Sequence, residues 1–266
     1  MDNIIAIANQ KGGVGKTTSA ISLSAELAMM GRKVLLVDFD PQGNATSGLG
    51  VEFQEQGEDL YDVFFGRVPL ASIIKKTAVK GLEVAPSSHD LVGVEIELGR
   101  EPGRELILRS QLRLNNKKYD YVIIDCPPSS GLLTLNALGA ADKLLIPLQA
   151  EYYALEGLSQ LLETIRFVNG TFNPELGLIG VFLTMFDNRT NLAGQVEQEV
   201  REYFNELAFE TRIPRNVKIS EAPSHGMPVC LYAPDSRGAK AYHELAVELD
   251  NRCFGGPVFE QRAANA

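Results

Sequence analysis

A glycine-rich segment near the start of the chain has the residue types of a phosphate-binding loop. It reads KGGVGKTT at 11–18 and lies between a short apolar run and a helical pattern. Closely spaced glycines let successive backbone N–H groups converge on one anion, and the N-terminus of the next helix adds partial positive charge. Lys16 is predicted to lie between the terminal phosphates of a nucleotide, and the Thr17 hydroxyl to complete a Mg²⁺ shell. The residues predicted to surround the phosphates are Lys11, Gly12, Gly13, Val14, Gly15, Lys16, Thr17 and Thr18.

Carboxylates follow two predicted strands at the points where those strands end. Asp38 and Asp40 open the segment DFDPQGNAT at 38–46, and Asp125 ends the apolar run YVIID at 121–125. Ligands of open α/β sheets bind beyond the carboxyl ends of the strands, so these side chains are expected near the phosphate loop. Asp40 is predicted to hold a Mg²⁺-bound water or to orient the attacking water, whereas Asp38 is predicted to be structural. Asp125 resembles a Walker B aspartate, which accepts hydrogen bonds from Mg²⁺-bound waters.

The elements that must position these residues alternate along the chain. Short apolar runs alternate with amphipathic stretches, which is typical of β–α–β units around a parallel sheet. Most predicted strands are apolar at consecutive positions, as expected for strands that helices cover on both faces. The predicted strands span 4–8, 33–38, 82–85, 121–125, 143–147, 178–184 and 209–213. The predicted helices span 17–30, 105–115, 132–140, 154–169, 192–207 and 238–251. The predicted fold class is α/β, with a mostly parallel twisted sheet covered by helices on both faces.

The chain lacks a long linker and an internal repeat, which favours one domain over residues 1–254. The segment 51–104 is the least regular part and is predicted to lie at the sheet edge. Residues 255–266 contain Gly255, Gly256 and Pro257 without apolar periodicity, and a flexible tail is expected there.

The composition is that of a folded protein in a reducing compartment. The 266 residues are 45% hydrophobic and 22% charged, which excludes a disordered or low-complexity chain. Three widely spaced cysteines, Cys126, Cys230 and Cys253, offer neither a disulfide framework nor a paired metal motif. We find no signal-peptide pattern and no apolar run of about 18 residues, so a cytoplasmic protein is expected.

The phosphate loop departs from the common pattern in one respect. Where the general motif has glycine this chain has Gln10, and an extra lysine, Lys11, follows. In this form the loop resembles the deviant Walker A motif of the ParA/MinD class of P-loop ATPases. The resemblance implies a P-loop NTPase fold, ATP and Mg²⁺ as ligands, and an ATP-bound homodimer in which Lys11 reaches the second subunit's nucleotide. Lys11, Lys16 and Asp40 are then the expected catalytic residues, and Thr17, Asp40 and Asp125 the expected metal-site residues.

Three further segments are similar to the chromosomal ParA/Soj branch of that class. They are QAEYYALEGL at 149–158, LTMFDNRTNLA at 183–193 and IPRNVKISEAPSHGMPV at 213–229. The resemblance implies a DNA-partitioning ATPase that binds non-specific double-stranded DNA as an ATP dimer and is stimulated by a ParB-like protein. It also implies adenine contacts at Met185, Pro214 and Asn216, and a nucleoid-associated location in the cytoplasm.

The net charge of −9 argues against a nucleic-acid partner when it is taken as a whole. Along the chain, however, the windows 51–60 and 83–105 each have a net charge of −4, whereas 211–220 has three basic residues and no acid. Arg215 and Lys218 lie in that basic segment, and Arg189 lies in a loop expected to be its neighbour. These three residues are the predicted DNA contacts, and paired patches on a dimer would bind phosphates in a salt-sensitive way.

Other members of the class would carry features that this sequence lacks. A MinD-like membrane ATPase would end in a basic amphipathic helix, and an iron-protein-like reductase would present cysteines for a shared cluster. A plasmid-type partition ATPase would carry an N-terminal helix-turn-helix extension. A MinD-like positioning ATPase and a P-loop biosynthetic enzyme that uses ATP remain as the alternatives.

Overall fold

The computed structural model describes residues 3–52, 58–99, 101–115, 118–151 and 156–254, with the backbone alone at 156–159. The expected flexible tail at 255–266 lies outside these ranges, and so does the start of the helix predicted at 154–169.

Within the described residues one eight-stranded sheet runs through the molecule in the order β3-β4-β2-β5-β1-β6-β7-β8. Neighbouring strands are parallel, except for the antiparallel pair β3 and β4. The strands are β1 (Ile4–Ile7), β2 (Val34–Asp38), β3 (Lys75–Lys76), β4 (Leu82–Ala85), β5 (Tyr121–Asp125), β6 (Lys143–Gln149), β7 (Gly177–Phe186) and β8 (Ala208–Pro214).

Helices pack on both faces of the sheet. They are α1 (Lys16–Met29), α2 (Asn44–Gly48), α3 (Leu60–Phe64), α4 (Leu70–Ile73), α5 (Leu91–Glu97), α6 (Ile107–Leu114), α7 (Leu132–Ala140), α8 (Glu156–Thr171), α9 (Asn191–Phe204), α10 (Val217–Glu221), α11 (Val229–Tyr232) and α12 (Arg237–Phe254). Short 3₁₀ turns lie at Arg104–Leu106, Asn205–Leu207 and Ala222–His225. The predicted α/β class, with a mostly parallel sheet covered on both faces, is confirmed.

Two hydrophobic cores lie on opposite faces of the sheet. In β1, Ile5 and Ile7 belong to the core that α1 and α12 cover, whereas Ile4 and Ala6 belong to the other core. Successive strand residues point to opposite faces, so a strand with a core on each side is apolar at every position. This is the physical reason for the consecutive apolar runs in the sequence.

The predicted boundaries differ from the structure mainly between 51 and 104. That segment does lie at the sheet edge, with β3 and β4, but it also contains α3, α4 and α5. Strand β3 is two exposed lysines, and the short helices α3 and α4 span five and four residues. Elements this short do not show a helical or strand period in the sequence.

The sheet topology brings the functional segments to one edge. Because β1, β2, β5, β6, β7 and β8 run parallel, the loops that follow them all emerge at the same edge. That edge holds the phosphate loop, the carboxylates after β2 and β5, and the segments after β7 and β8. Among the described helices, none is both long and apolar enough to cross a membrane.

Candidate nucleotide-binding site

The glycine-rich segment folds as a tight loop between β1 and α1. Gly13 and Gly15 have φ of 77° and 89°, a left-handed conformation that glycine adopts at little cost. From the end of β7, the Thr184 hydroxyl donates to the backbone oxygen of Val14 at 2.9 Å. The buried Asn9 amide donates to the oxygen of Pro147 in β6 at 2.8 Å. The loop is therefore held against the ends of two neighbouring strands.

Lys16 is the first residue of α1, and its side chain is buried within the loop. Its ammonium group donates to the backbone oxygen of Lys11 at 3.0 Å. Burial lowers the pKa of Lys16, and the nearby charge of Asp125 offsets part of that effect. A buried cation with a single neutral partner here is suited to neutralising the charge of a bound phosphate.

Asp125, at the end of β5, is completely buried, and neither carboxylate oxygen has a hydrogen-bond partner among the described residues. Burial and the charge of Asp38 raise the pKa of Asp125 well above its ordinary value, and neighbouring Thr17 and Lys16 offset part of the rise. Buried polar groups are nearly always satisfied, so an unpartnered carboxylate indicates a ligand or ion that would complete it.

Asp38 and Asp40 have different surroundings. One oxygen of Asp38 accepts from the amide and the hydroxyl of Thr46, both at 2.7 Å, which ties β2 to α2. Burial raises the pKa of Asp38 to about 6, despite these hydrogen bonds. Asp40 is 8% exposed, and one of its oxygens accepts from the Gln42 amide at 3.0 Å. These partners favour the predicted structural role for Asp38 and leave Asp40 facing the site.

The residues present fit a magnesium ion held together with a nucleotide. Among the described residues, no group of three or more His, Cys, Asp or Glu side chains could hold a metal ion by itself. Mg²⁺ does not need one, because it keeps several waters and is held by one or two carboxylates plus substrate phosphates. The unpartnered Asp125, with Thr17 and Asp40 nearby, matches that donor set.

A cavity of about 320 Å³ adjoins the phosphate loop. It is lined by all three residues predicted to contact adenine, together with residues of the phosphate loop and of the basic segment 211–220. Its lining includes Gly15, Thr18, Met185, Pro214, Arg215 and Asn216. The cavity lies beyond β7 and β8, so the positions singled out by resemblance converge beside the phosphate loop.

Two of the residues lining this cavity have constrained geometry. Met185 has φ of 51°, which is uncommon for a residue with a side chain and is typical of functional segments. The Asn216 side-chain oxygen accepts from the Lys218 amide at 2.8 Å and so caps α10.

Lys11 forms an ion pair with Glu151, which follows β6 in the same protomer. The two side chains are about equally exposed, at 39% and 35%. Lys11 therefore has an intramolecular partner in this structure. Glu151 was not singled out in the sequence, because an acidic residue in a loop carries no signal of its own.

The predicted DNA contacts lie on neighbouring segments. The Arg215 amide donates to the oxygen of Phe186 at 3.1 Å, which joins the loop after β7 to the segment after β8. Arg189 forms two hydrogen bonds with Asp187, at 2.8 and 2.6 Å, and Lys218 pairs with Glu221 at 2.9 Å. The expected adjacency of the two segments is confirmed. The count of three unopposed bases in 211–220 overstates the local positive charge, because acids elsewhere in the chain lie beside them.

Arg212 is one of the basic residues with an acidic neighbour. It pairs with Glu197 of α9 at 2.7 Å, although the two residues are fifteen positions apart. Arg215 makes no ion pair with any described residue, and its exposed guanidinium lies beside the cavity. His243 of α12 contacts buried Glu26 of α1 at 3.0 Å.

Other residues at the site carried no signal in the sequence. The Ser87 hydroxyl, after β4, donates to the backbone oxygen of Asp40 at 2.7 Å. Thr184, as described above, holds the phosphate loop. Each is separated from its partner by more than forty residues, so spacing along the chain could not reveal it.

The chain matches known ATPases over most of its length. A family model described as an AAA domain matches residues 2–178. The sporulation initiation inhibitor protein Soj of Bacillus subtilis is 55% identical over 249 residues, which cover 94% of this chain and 98% of that protein. The chromosome partitioning protein ParA of Myxococcus xanthus is 53% identical over 249 residues, which cover 94% of this chain and 88% of that protein.

Solved structures share the fold. Cobyrinic acid a,c-diamide synthase from Mycobacterium smegmatis, with a bound ATP analogue and magnesium, has a TM-score of 0.82 at 38% identity, over 94% of this chain and 95% of that one. The cell division ATPase MinD of Pyrococcus furiosus has a TM-score of 0.77 at 27% identity, over 94% and 99% of the two chains. These likenesses confirm the predicted P-loop NTPase fold. With its higher identity to Soj and ParA over nearly their whole lengths, the chain belongs to the Soj/ParA family of chromosome-partitioning ATPases.

Proposed function

We propose that this protein is a magnesium-dependent ATPase that partitions DNA. The observation that carries the proposal is the convergence, at one sheet edge, of the phosphate loop, the unpartnered Asp125 carboxylate and the cavity with Met185, Pro214 and Asn216. A nucleotide needs these three features together, for its phosphates, its metal ion and its base. The relatives named Soj and ParA favour chromosome partitioning as the process that the ATPase serves.

The residues have distinct roles in this proposal. The loop amides of 12–18 and Lys16 bind the phosphates, and Thr17, Asp40 and Asp125 face the metal ion, the latter two through water. Bound Mg²⁺ would neutralise charge on the β- and γ-phosphates. Asp40 orients the attacking water, and Lys11 leaves Glu151 to act on the nucleotide of the second subunit. Met185, Pro214 and Asn216 contact adenine.

The proposed cycle couples ATP to DNA. ATP closes a homodimer, the dimer binds non-specific double-stranded DNA through Arg189, Arg215 and Lys218, and slow hydrolysis, stimulated by a ParB-like protein, releases it. Each protomer contributes few free cations, since Arg189 and Lys218 have acidic neighbours. Two copies side by side supply the phosphate contacts that one copy does not, which makes DNA binding depend on the dimer. The protein is then associated with the nucleoid.

A biosynthetic function is the second candidate, because the Mycobacterium smegmatis structure carries the name of an amide-forming synthase. Its 38% identity is lower than the 55% and 53% of the relatives named for sporulation control and partitioning. A MinD-like function is favoured less, since the sequence of the Pyrococcus furiosus MinD is 27% identical to this chain.

An ATP-dependent DNA shift assay tests the proposal. Wild-type protein with ATP and Mg²⁺ should retain double-stranded DNA of any sequence, and the Asp40→Ala variant should stay on DNA as a trapped dimer. The Arg189→Glu, Lys218→Glu variant should lose DNA retention while light scattering still detects the ATP-dependent dimer.

Three outcomes would contradict the proposal. Retention of DNA by the double variant would place the DNA surface elsewhere. Competition by liposomes, and not by DNA, for the ATP-bound form would favour the MinD-like alternative. A wild-type protein that remains monomeric with ATP would exclude the dimer switch.

A further inference from the structure

A carboxylate from α5 lies at the N-terminus of α7. One oxygen of Glu95 accepts from the backbone amide of Leu132, the first residue of α7, at 2.7 Å. The two residues are 37 positions apart, so a different element supplies the acceptor that a capping residue usually provides. A negative charge at this position also interacts favourably with the helix dipole.

Gly131 makes this approach possible. A Cβ atom at Gly131 would lie 1.9 Å from the same Glu95 oxygen, so any side chain here would displace the carboxylate. The φ of Gly131 is −76°, which other residues adopt freely, so the glycine is needed for space and not for its backbone conformation. The hydrogen bond from Leu132 to Glu95 therefore depends on the absence of a side chain at Gly131.

The hydrogen bond between Leu132 and Glu95 anchors one end of the segment that follows Asp125. The other end starts at Cys126, whose amide donates to the oxygen of Ile7 in β1 at 3.3 Å. Within the segment, the Thr134 hydroxyl of α7 donates to the oxygen of Ser129 at 2.7 Å. Residues 128–130 are exposed, so their position depends on these anchors and not on burial.

Helix α5 is itself fixed to the protein. Leu91 and Val94 are completely buried in the same core as Leu132 and Leu133 of α7. The side chain of Glu95 thus extends from a packed helix, and its distance to α7 is set by that packing.

We propose that Glu95 is a positioning residue for ATP hydrolysis. Through the N-terminus of α7, it holds the 126–131 segment, which is exposed at 128–130, beside Asp125, whose own position is fixed by the pairing of β5 with β1 and β2. This role rests on the proposed function. Glu95 lies outside the phosphate loop and the cavity, so its loss should change the hydrolytic step and leave nucleotide binding intact.

Three single variants, one double variant (Glu95→Ala, Gly131→Ala) and one control test the role. Glu95→Ala should lower kcat about tenfold, the factor that corresponds to one charge-assisted hydrogen bond, with an unchanged Kd for an ATP analogue. Glu95→Gln keeps an acceptor oxygen and should restore most of kcat. Gly131→Ala should resemble Glu95→Ala, and the double variant should be no worse than either single one. The control is Glu97→Ala, on the same helix as Glu95, which removes a contact with Tyr61 of α3 and should leave kcat unchanged.

The possible failures are distinguishable. Wild-type protein that neither binds nor hydrolyses ATP would contradict the proposed function itself. Wild-type hydrolysis with an unchanged kcat in Glu95→Ala, or additive losses in the double variant, would overturn only the role of Glu95. An equal loss of nucleotide affinity and kcat in Glu95→Ala, without recovery in Glu95→Gln, would also overturn it, because it indicates general destabilisation.

Discussion

At the scale of single residues, the surroundings of Asp125 disfavour its charged form. Its carboxylate is fully buried and unpartnered among the described residues, and Asp38 adds a second buried carboxylate beside it. Burying a charge without a partner costs free energy, which a protein tolerates where a ligand will use that charge. This arrangement makes stability and nucleotide binding compete at one position.

Asp125→Asn removes that charge and keeps the shape of the side chain. We expect the free energy of unfolding without nucleotide to rise by about 2 kcal/mol at neutral pH, because the desolvated charge is gone. The increase in Tm on adding ATP and Mg²⁺ should become smaller, since an amide is a poorer partner for metal-bound water. Urea denaturation and thermal melting measure the two effects.

A matched control makes the same chemical change at the other end of β5. Asp120 precedes the strand and accepts from the Lys33 amide at 2.7 Å. Asp120→Asn should not stabilise the protein and should leave the nucleotide response unchanged. If Asp125→Asn were less stable than wild type yet responded fully to ATP and Mg²⁺, the interpretation of Asp125 would be wrong.

At the scale of elements, the segment that carries Asp40 is in backbone contact with the segment that follows the proposed DNA contacts. A Cβ atom on Gly50 would lie 2.8 Å from the oxygen of Gly226, and the φ angles of these glycines are 69° and 62°. Two positions earlier, a Cβ atom on Gly48 would lie 3.7 Å from the Cβ of Pro223. The segment beyond β2 and the segment beyond β8 therefore pack as one unit.

Gly50→Ala should destabilise this junction. We expect a loss of about 2–3 kcal/mol in the free energy of unfolding, from the left-handed conformation and from the clash with Gly226 together. Gly66 has φ of 65° and nothing within 4 Å of its Cβ position, so Gly66→Ala isolates the conformational part, about 1 kcal/mol. Denaturant titrations compare the two, and equal losses would contradict the close approach at Gly50.

At the scale of the whole molecule, the net charge of −9 repels DNA from most of the surface. The proposed DNA contacts lie near β8 at one end of the sheet, whereas exposed Lys75 and Lys76 form β3 at the other end. Because Arg189 and Lys218 also have acidic partners, each protomer has a weak local field. DNA binding should therefore be strongly sensitive to salt. It should depend more on where the basic residues lie than on the net charge of the protein.

The salt dependence of DNA binding measures these contacts. With three contacts per protomer, the logarithm of the apparent association constant of the ATP dimer should fall against log salt with a slope of about −5. Lys218→Ala should reduce the slope by about 2, one contact from each protomer. Lys75→Ala changes the net charge equally at the opposite end of the sheet and should leave the slope unchanged. An equal effect of both variants would mean that total charge, and not the proposed patch, governs binding.

Much of the fold and part of the site could be predicted from the sequence. The sequence predicts the strands β4 and β5 and the helix α7 at their observed bounds. The short strand β3 was not predicted at all, and a boundary was wrong where a helix begins with a 3₁₀ turn, as at Arg104–Leu106. The residue roles in the phosphate loop remain predictions, supported by the geometry around them.

The sequence by itself determined the phosphate loop, the strand-end carboxylates and the class of sheet, because these depend on glycine conformation, apolar periodicity and other local properties. Only the tertiary structure decided which groups meet. Thr184 reaches Val14 across 170 positions, Ser87 reaches Asp40 across 47, and Glu95 reaches Leu132 across 37. The same holds for Arg212, whose acidic partner Glu197 lies fifteen positions away and reduces the local charge that the sequence predicts. Hydrogen bonds and ion pairs act over a few ångströms in space, and a sheet with crossover connections brings together residues that are distant along the chain.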